Sequence, residues 1–202
     1  GVYGNVDGWS DLLWPHRWAL YSFDAYINGA RVYDYTFELT ESSYFTAGVL
    51  CHEFFHVLGA PDLYHYNNTG APDAVGGWDL MESTSNPPQY MGAFLKWKYG
   101  DWIPEIPEIT STGTYTLNPL QEPENSSYKI ASPNSDTEYY VLEYRVKEGT
   151  YDSNTPGSRD GLLVYRINTE AGNGNAQGPP DEVYLTPLFV PYFCHASEGV
   201  IF

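Results

Sequence analysis

The chain has very few cysteines and no long apolar run. Cys51 and Cys194 are the two cysteines among 202 residues, so no disulfide framework holds the fold together, and the sequence does not tell whether the two form a bridge. Cys51 is expected to be a buried thiol without a redox role. No apolar stretch approaches the ~18 residues of a transmembrane helix. The chain therefore has no predicted membrane span.

Basic residues are scarce as well. Lysine and arginine number 9 against 26 acidic residues, which gives a net charge of −17. Nucleic acids and anionic membranes attract proteins through lysine and arginine, so this balance argues against both as partners. The charge suits a soluble protein that tolerates bound cations, and we expect a monomer.

The first half of the chain predicts strands followed by a helix. Aromatic and polar residues alternate in WALYSFDAYING and RVYDYTFELT, with a hairpin-type turn at Asn28-Gly29. From about Ser43 to Leu58 the apolar spacing becomes helical, with Ser42 or Ser43 as the N-cap and Gly59 as the stop. The apolar face of this predicted helix comprises Leu50, Phe54, Val57 and Leu58.

The remainder of the chain changes from helical to strand-like patterns. A loop over 60–86 precedes a second predicted helix, roughly Pro88 to Tyr99. Beyond DWIPEIPEI the segments TYTLN, YKIAS, EYYVLEYRVK, LLVYRIN and EVYLTPLFV predict strands between Pro, Gly, Asn and Ser clusters. The fold class is therefore α+β, with one portion over 1–103 and a β-rich portion over 104–202 packed on it, and either end is a candidate for truncation.

One stretch of the first helix indicates a metal site. In CHEFFHVLGAPDLY, His52 and His56 are separated by one helical turn, so both imidazoles project from one face and can reach a single ion. Imidazole is a good zinc ligand. Glu53 lies on the neighbouring row, where its carboxylate can take a proton from a water at the metal without itself being a ligand. H-E-x-x-H therefore predicts a hydrolytic zinc site with Glu53 as the general base.

A catalytic zinc usually has three protein ligands, and two residues compete for the third place. Gly59 ends the helix and lets the chain turn back, so that Asp62 arrives three residues later behind the stiff Pro61. A carboxylate oxygen binds zinc at a distance similar to that of imidazole. Glu82 is the alternative, because some zinc proteases take a glutamate from well downstream. The turn at Gly59 favours Asp62.

The segment CHEFFHVLGAPDLY resembles the immune-inhibitor-A family of secreted bacterial zinc metalloproteases. The same resemblance is seen in GGWDLM, KWKYGDWI, WPHRW and YYVLEYR…GLLVYRI. The resemblance extends over about residues 14 to 167. It implies a metzincin-like catalytic portion with His52, His56 and Asp62 on zinc, Glu53 as base, and Met81 in a turn beneath the site.

The chain departs from the pattern of that family at two positions. Metzincins often carry an oxyanion-stabilising tyrosine where this chain has Ser83, so that role is open. Tyr64, Tyr66 and Tyr90 are the candidates, and His65 is a further one. His65 stands where the family often has an acid, which weakens a calcium site there. Calcium nevertheless remains a candidate cofactor beside zinc, although YDSNTPGSRDG lacks the glutamate that closes an EF-hand loop, and we expect a turn there.

The predicted function is that of a secreted zinc endopeptidase acting on proteins or peptides. The strand around YTFELT is expected to accept an extended substrate by strand addition. Two alternatives stay open: an inactive extracellular module that binds glycans or peptides through aromatic β surfaces, and a zinc hydrolase of non-peptide amides.

Overall fold

A computed structural model describes residues 14–40, 45–67, 70–186 and 200–201 of the chain. Four short strands precede one helix in the first part. Their bounds are β1 His16–Ala19, β2 Ala25–Ile27, β3 Ala30–Val32, β4 Asp34–Phe37 and α1 Ala47–Val57. No helix in these ranges has both the length and the apolar content needed to cross a bilayer.

The strands form two antiparallel pairs. β2 and β3 join through Asn28 and Gly29, whose φ angles of 50° and 79° suit a tight hairpin turn. The predicted hairpin is confirmed. β1 pairs with β4, with His16 opposite Phe37. Helix α1 contacts both β1 and β4.

Helix α1 begins later than predicted. Thr46 is its N-cap, and the Thr46 hydroxyl oxygen accepts a hydrogen bond from the backbone N–H of Val49 at 3.2 Å. The predicted caps Ser42 and Ser43 lie outside the described residues. Gly59 follows the helix with a φ of 98°, a conformation that glycine adopts without strain, so the predicted stop is confirmed.

The apolar face predicted for α1 is not the face that packs against the protein. Leu50, Phe54 and Leu58 are 41%, 59% and 41% exposed. The buried residues of the helix are Gly48, His52, Glu53 and Phe55. The side of the helix that carries His52 and Glu53 packs against the rest of the protein, so the polar site residues are inside and Leu50, Phe54 and Leu58 are outside. The expectation of a buried Cys51 is wrong for the same reason, because its thiol belongs to the exposed side.

The second helix is shorter than the predicted one. It comprises α2 at Ala93–Leu95 and a π-helical turn at Lys96–Gly100. The backbone N–H groups of Gly92 and Ala93 donate to the buried carboxylates of Asp79 and Glu143, both at 2.6 Å. Gly92 is extended rather than helical. Long-range carboxylates therefore hold the chain at the point where local sequence favours an earlier helix start.

The second half of the chain contains strands as its regular elements within 104–186 and 200–201. They are β5 Thr114–Tyr115, β6 Ser127–Ala131, β7 Glu138–Arg145, β8 Gly161–Asn168, β9 Val183–Leu185 and β10 Val200–Ile201. β6 to β9 form one antiparallel sheet in sequence order. Each of the five predicted segments contributes a strand. The boundary near residue 103 stays a prediction.

One buried cluster joins the two halves. Phe55 of α1, Leu63 and Met81 belong to the same hydrophobic core as Val141 of β7 and Ile167 of β8. Because the sheet packs directly beneath the segments that carry the histidines, it supports the candidate site.

Candidate metal centre

Helix α1 places two imidazoles side by side and fixes their orientation through backbone carbonyls. Nδ1 of His52 lies 2.9 Å from the carbonyl oxygen of Leu80, and Nδ1 of His56 lies 2.7 Å from that of Ala60. A carbonyl oxygen only accepts hydrogen bonds, so each Nδ1 carries a proton and donates it. In the neutral rings both Nε2 atoms are then unprotonated, which is the form that binds a metal.

Asp62 brings a carboxylate oxygen to the same point. Its Oδ1 lies 3.1 Å from Nε2 of His52 and 3.2 Å from Nε2 of His56. The three side chains can offer ligand atoms that all lie within 4.8 Å of one another. Asp62 Oδ1 is buried and has no hydrogen-bond partner. Three lone pairs therefore converge with no proton between them in the neutral state, an arrangement that a cation would satisfy.

These distances suit zinc. With metal–ligand bonds of about 2.0 to 2.1 Å, neighbouring ligands in a tetrahedron stand about 3.3 to 3.4 Å apart. The two Asp62 contacts, at 3.1 and 3.2 Å, are close to that edge length. Two imidazoles and one carboxylate also form a common ligand set of catalytic zinc. The residues present therefore fit the metal.

The electrostatics of the site also favour positive charge. Burial alone would raise the pKa of Asp62, but the His52 and His56 rings beside the carboxylate outweigh burial and hold that pKa well below its usual range. Burial alone would lower the pKa of His56, yet the Asp62 carboxylate raises it above the usual value. The Asp62 carboxylate thus stabilises positive charge at this point.

Glu53 lies beside the three converging residues and is itself buried. Burial raises the pKa of its carboxyl, against the opposing effect of His52 and His56. The backbone N–H of Arg17 on β1 also lowers this pKa, as the smallest of these effects. Glu53 is therefore held at the edge of the site with an elevated pKa, as suits a group that accepts a proton near neutral pH.

The turn that contains Met81 lies directly against His52. Leu80 supplies the carbonyl for the His52 ring, and Met81 is fully buried. Asp79 folds the turn, because its Oδ1 accepts the Met81 N–H at 2.8 Å and its Oδ2 accepts the Gly92 N–H. The Met81 carbonyl in turn accepts the N–H of Leu63, next to Asp62.

Glu82 has one oxygen engaged elsewhere, and its other oxygen, Oε1, is buried without a hydrogen-bond partner. Its Oε2 accepts the backbone N–H of Val75 at 2.7 Å. The group of potential metal ligands found in the described ranges contains Asp62 and not Glu82. Burial raises the pKa of Glu82 to about 7. A large share of this carboxyl is therefore protonated near neutral pH, which makes it a weaker metal ligand. The geometry favours Asp62 as the third ligand.

The three candidate oxyanion tyrosines occupy different places. The Tyr66 hydroxyl donates a hydrogen bond to Asp62 Oδ2. Tyr64 stacks against His52 with ring centroids 6.3 Å apart. Tyr90 instead lies against Lys96, whose Nζ is 4.4 Å from its ring centroid, and lines a separate cavity with Cys51. The structure brings Tyr64 and Tyr66 to the site and leaves Tyr90 away from it.

A cleft of about 520 Å³ opens beside His52. His52, Glu53 and Tyr64 lie on one side of it, and Glu82 also contributes to its wall. Further lining residues are Trp14, Pro15, Thr46, Val49, Thr84, Ser85 and Asn86. The cleft is large enough for a side chain of a bound peptide next to the candidate metal.

Two other residues considered in the sequence have structural partners. His65 pairs through Nε2 with Asp181 Oδ1 at 2.7 Å. Asp152, in the segment YDSNTPGSRDG, is buried and binds the Arg145 guanidinium through both carboxylate oxygens. Neither residue belongs to a potential metal group within the described ranges. Cys194 lies outside those ranges, so the question of a bridge to Cys51 stays open.

Several residues that shape the site were missed from the sequence. Asp79 had a recognisable signal, because aspartate commonly folds a turn by accepting the N–H two residues on. Glu38 had none. Its carboxyl lies near Glu53 and His52, and burial followed by the Glu53 charge raises its pKa. The carbonyls of Leu80 and Ala60 carry no sequence signal either, because any residue has one.

Comparison with known proteins relates part of this chain to peptidases. Residues 3–95 match the family described as immune inhibitor A peptidase M6, catalytic domain. Immune inhibitor A of Bacillus thuringiensis subsp. alesti is 29% identical over 115 residues, covering 46% of this chain and 16% of that protein. Pre-pro-metalloprotease PrtV of Vibrio cholerae serotype O1 (strain M66-2) is 32% identical over 94 residues, covering 41% of this chain and 10% of that protein.

The chain thus spans between 10% and 16% of the length of these relatives. No solved structure matches it. The matched region contains all three converging residues, Glu53 and Met81. The resemblance predicted from the sequence is confirmed: the first half of this chain is similar to the catalytic domain of the immune inhibitor A metalloproteases of peptidase family M6.

Proposed function

We propose that the chain carries the active site of a secreted zinc endopeptidase. The observation that supports this most strongly is the convergence of His52 Nε2, His56 Nε2 and Asp62 Oδ1 beside the buried Glu53. The match to a peptidase catalytic domain adds to it. A zinc-free binding module would not need three converging lone pairs, of which one is buried and unpaired.

Each residue has a separate task in this proposal. His52, His56 and Asp62 hold zinc, which when bound lowers the pKa of a water molecule and polarises the scissile carbonyl. Glu53 accepts the proton of the attacking water and passes it to the leaving amine. Its raised pKa suits both transfers, because a base with a pKa closer to neutrality also serves as an acid.

Protein or peptide substrates are expected to bind in extended form. Among the described strands, β4 pairs with β1 alone, so one edge of β4 is without a strand partner. A peptide that adds to this edge gains main-chain hydrogen bonds. The location outside the cell and the monomeric state belong to the proposal as well. A calcium site remains a prediction, and the described part of the chain offers no second group of potential metal ligands for it.

Metal analysis and proteolysis on the same preparations test the function. The parent should contain one zinc per chain and digest casein. Glu53→Gln should keep the zinc and lose ~10² to 10⁴ in rate, which is the usual range for general-base assistance. His56→Ala should lower the zinc content itself, since it removes a ligand.

The alternatives predict other results. Glu53→Gln with the activity of the parent would disprove the proposed mechanism. A zinc-loaded parent that cleaves small amides but no protein indicates a hydrolase of non-peptide substrates. A parent that hydrolyses neither, yet binds glycans or peptides, indicates a binding module.

A further inference from the structure

We propose that residues 172–182, named here the support loop, set the position of the third metal ligand, with Gly174 and Asn175 as positioning residues for Asp62. The proposal rests on the metal site described above. The support loop lies outside residues 3–95, the part that matches the peptidase family. The candidate metal centre would then depend on the β-rich half of the chain.

The support loop contacts the ligand-bearing segment at three successive places. The backbone N–H of Asn175 donates to the Asp62 carbonyl oxygen at 3.0 Å, and the N–H of Tyr66 donates to the Ala176 carbonyl oxygen at 3.0 Å. Between them, the His65 and Asp181 side chains pair at 2.7 Å. The segment 62–66, which begins with the proposed ligand Asp62, is therefore fixed along its length.

The support loop is itself tied to the sheet. Asn175 is completely buried, and its amide both donates to the Val183 carbonyl oxygen at 2.7 Å and accepts the Val183 N–H at 3.0 Å. Glu182, also buried, accepts the Gly174 N–H at 2.6 Å and pairs with Lys98. Val183 is the first residue of strand β9, so these two hydrogen bonds fix Asn175 to the four-stranded sheet.

Gly174 makes the closest approach to the ligand-bearing segment. A Cβ atom at this position would lie 2.5 Å from the Asp62 carbonyl oxygen and 2.6 Å from Pro61 Cβ. Both distances are shorter than van der Waals contact, so any side chain here would displace the backbone of Asp62. Its φ of 80° further favours glycine.

Such a displacement matters because metal affinity depends on the ligand position. Asp62 Oδ1 is within 3.2 Å of both imidazoles, and a shift of the backbone by a fraction of an ångström would spoil that convergence. Changes to residues that orient metal ligands typically weaken metal binding ~10- to 100-fold. The same loss is expected here from residues more than a hundred positions away in the sequence.

The decisive experiment compares Gly174→Ala with Gly157→Ala. Gly157 has a φ of 77°, close to that of Gly174, but its Cβ would meet nothing within 4 Å. The two variants thus share backbone strain and differ in the contact with Asp62. The zinc dissociation constant is measured by competition with a chromophoric chelator, and the absorption spectrum of the cobalt-substituted protein reports the ligand geometry.

We expect Gly174→Ala to raise the zinc dissociation constant ~10- to 100-fold and to change the cobalt spectrum. Gly157→Ala should leave both near the parent values. Equal zinc affinity and equal cobalt spectra in the two variants would overturn the proposal, while zinc binding by the parent would leave the proposed function standing. A parent that binds no zinc would overturn both.

A second pair of variants decides the matter if Gly174→Ala does not fold. Asn175→Asp replaces the amide donor that binds the Val183 carbonyl by a carboxylate oxygen and should loosen the support loop. Val141→Ala, in the fully buried middle of β7, lowers stability without touching the loop. Weaker zinc binding in Asn175→Asp alone supports the proposal, and the same zinc affinity in both variants contradicts it.

Discussion

His52 is oriented by the backbone of the residue before Met81, since its Nδ1 lies 2.9 Å from the Leu80 carbonyl oxygen. The turn therefore acts on the candidate metal ligand through a carbonyl group. Asp79 holds that turn closed with one carboxylate oxygen and holds Gly92 with the other. The Met81 side chain belongs to the hydrophobic core instead. These two roles can be separated by mutation.

Asp79→Asn should weaken zinc binding more than Met81→Leu. The asparagine has one acceptor oxygen for two backbone N–H groups, and its amide would face the other donor, so the turn should open and the His52 ring should lose its fixed orientation. We expect the zinc dissociation constant to rise ~10- to 100-fold. Met81→Leu nearly conserves volume and should change stability by less than ~1.5 kcal/mol. Calorimetric zinc titration of both variants measures the difference, and equal affinities would refute a role of the turn through Asp79.

The third ligand can be identified by a paired substitution. Asp62→Ala should lose zinc on dialysis, because it removes the carboxylate that faces both imidazoles. Glu82→Ala should retain one zinc per chain, because the Glu82 carboxylate binds the Val75 N–H instead. Zinc is measured by mass spectrometry after dialysis against metal-free buffer. The opposite pattern would assign the metal to Glu82.

The local part of the site was predictable, because it depends on spacing along one helix and the turn after it. His52, Glu53 and His56 follow from the helical period, and the return of the chain to Asp62 follows from Gly59. The orientation of α1 was not predictable in the same way. An apolar stripe at Leu50, Phe54 and Leu58 indicates a helix, but the neighbours of each face are distant in sequence.

The same limit applies to everything that the second half contributes. The strands were predicted from alternation and turn residues, which are local signals. The contact of Asn175 with Asp62 joins positions far apart in the chain, and no periodicity relates them. Likewise, Glu143 on β7 determines the start of α2 by binding the Ala93 N–H. Such contacts are a product of tertiary packing and carry no local pattern.

Tyr66→Phe separates two roles that the sequence left open. The Tyr66 hydroxyl donates to Asp62 Oδ2, so its removal should weaken zinc binding. We expect the zinc dissociation constant to rise ~10-fold, the lower end of the range for groups that orient metal ligands. An oxyanion role would instead lower kcat ~10²- to 10³-fold at unchanged zinc affinity. Tyr64→Phe is the comparison, since Tyr64 stacks on His52 and lines the cleft. Zinc titration and peptide hydrolysis on the same preparations distinguish the two roles, and unchanged values of both would exclude them.

Glu82 should make the stability of the metal-free protein depend on pH. Burial raises its pKa from 4.5 to about 7 in the folded state. An acid whose folded pKa is raised binds protons more tightly when folded, so its ionisation lowers stability as the pH rises through this window. The effect is absent below about pH 4.5, accumulates up to about pH 7 and stays constant above it.

Glu82→Gln removes this titration while its amide oxygen can still accept the Val75 N–H. We therefore expect the variant to gain on the order of 1 to 3 kcal/mol over the parent at pH 8, and little or nothing at pH 4.5. Because each kcal/mol shifts the Tm of a chain of this size by about 2 to 4 °C, the gain is measurable by thermal unfolding across this pH range. The exposed Glu105→Gln is the control and should show no such trend. A stability difference between Glu82→Gln and the parent that is the same at both pH values would show that the Glu82 carboxyl does not titrate in this window.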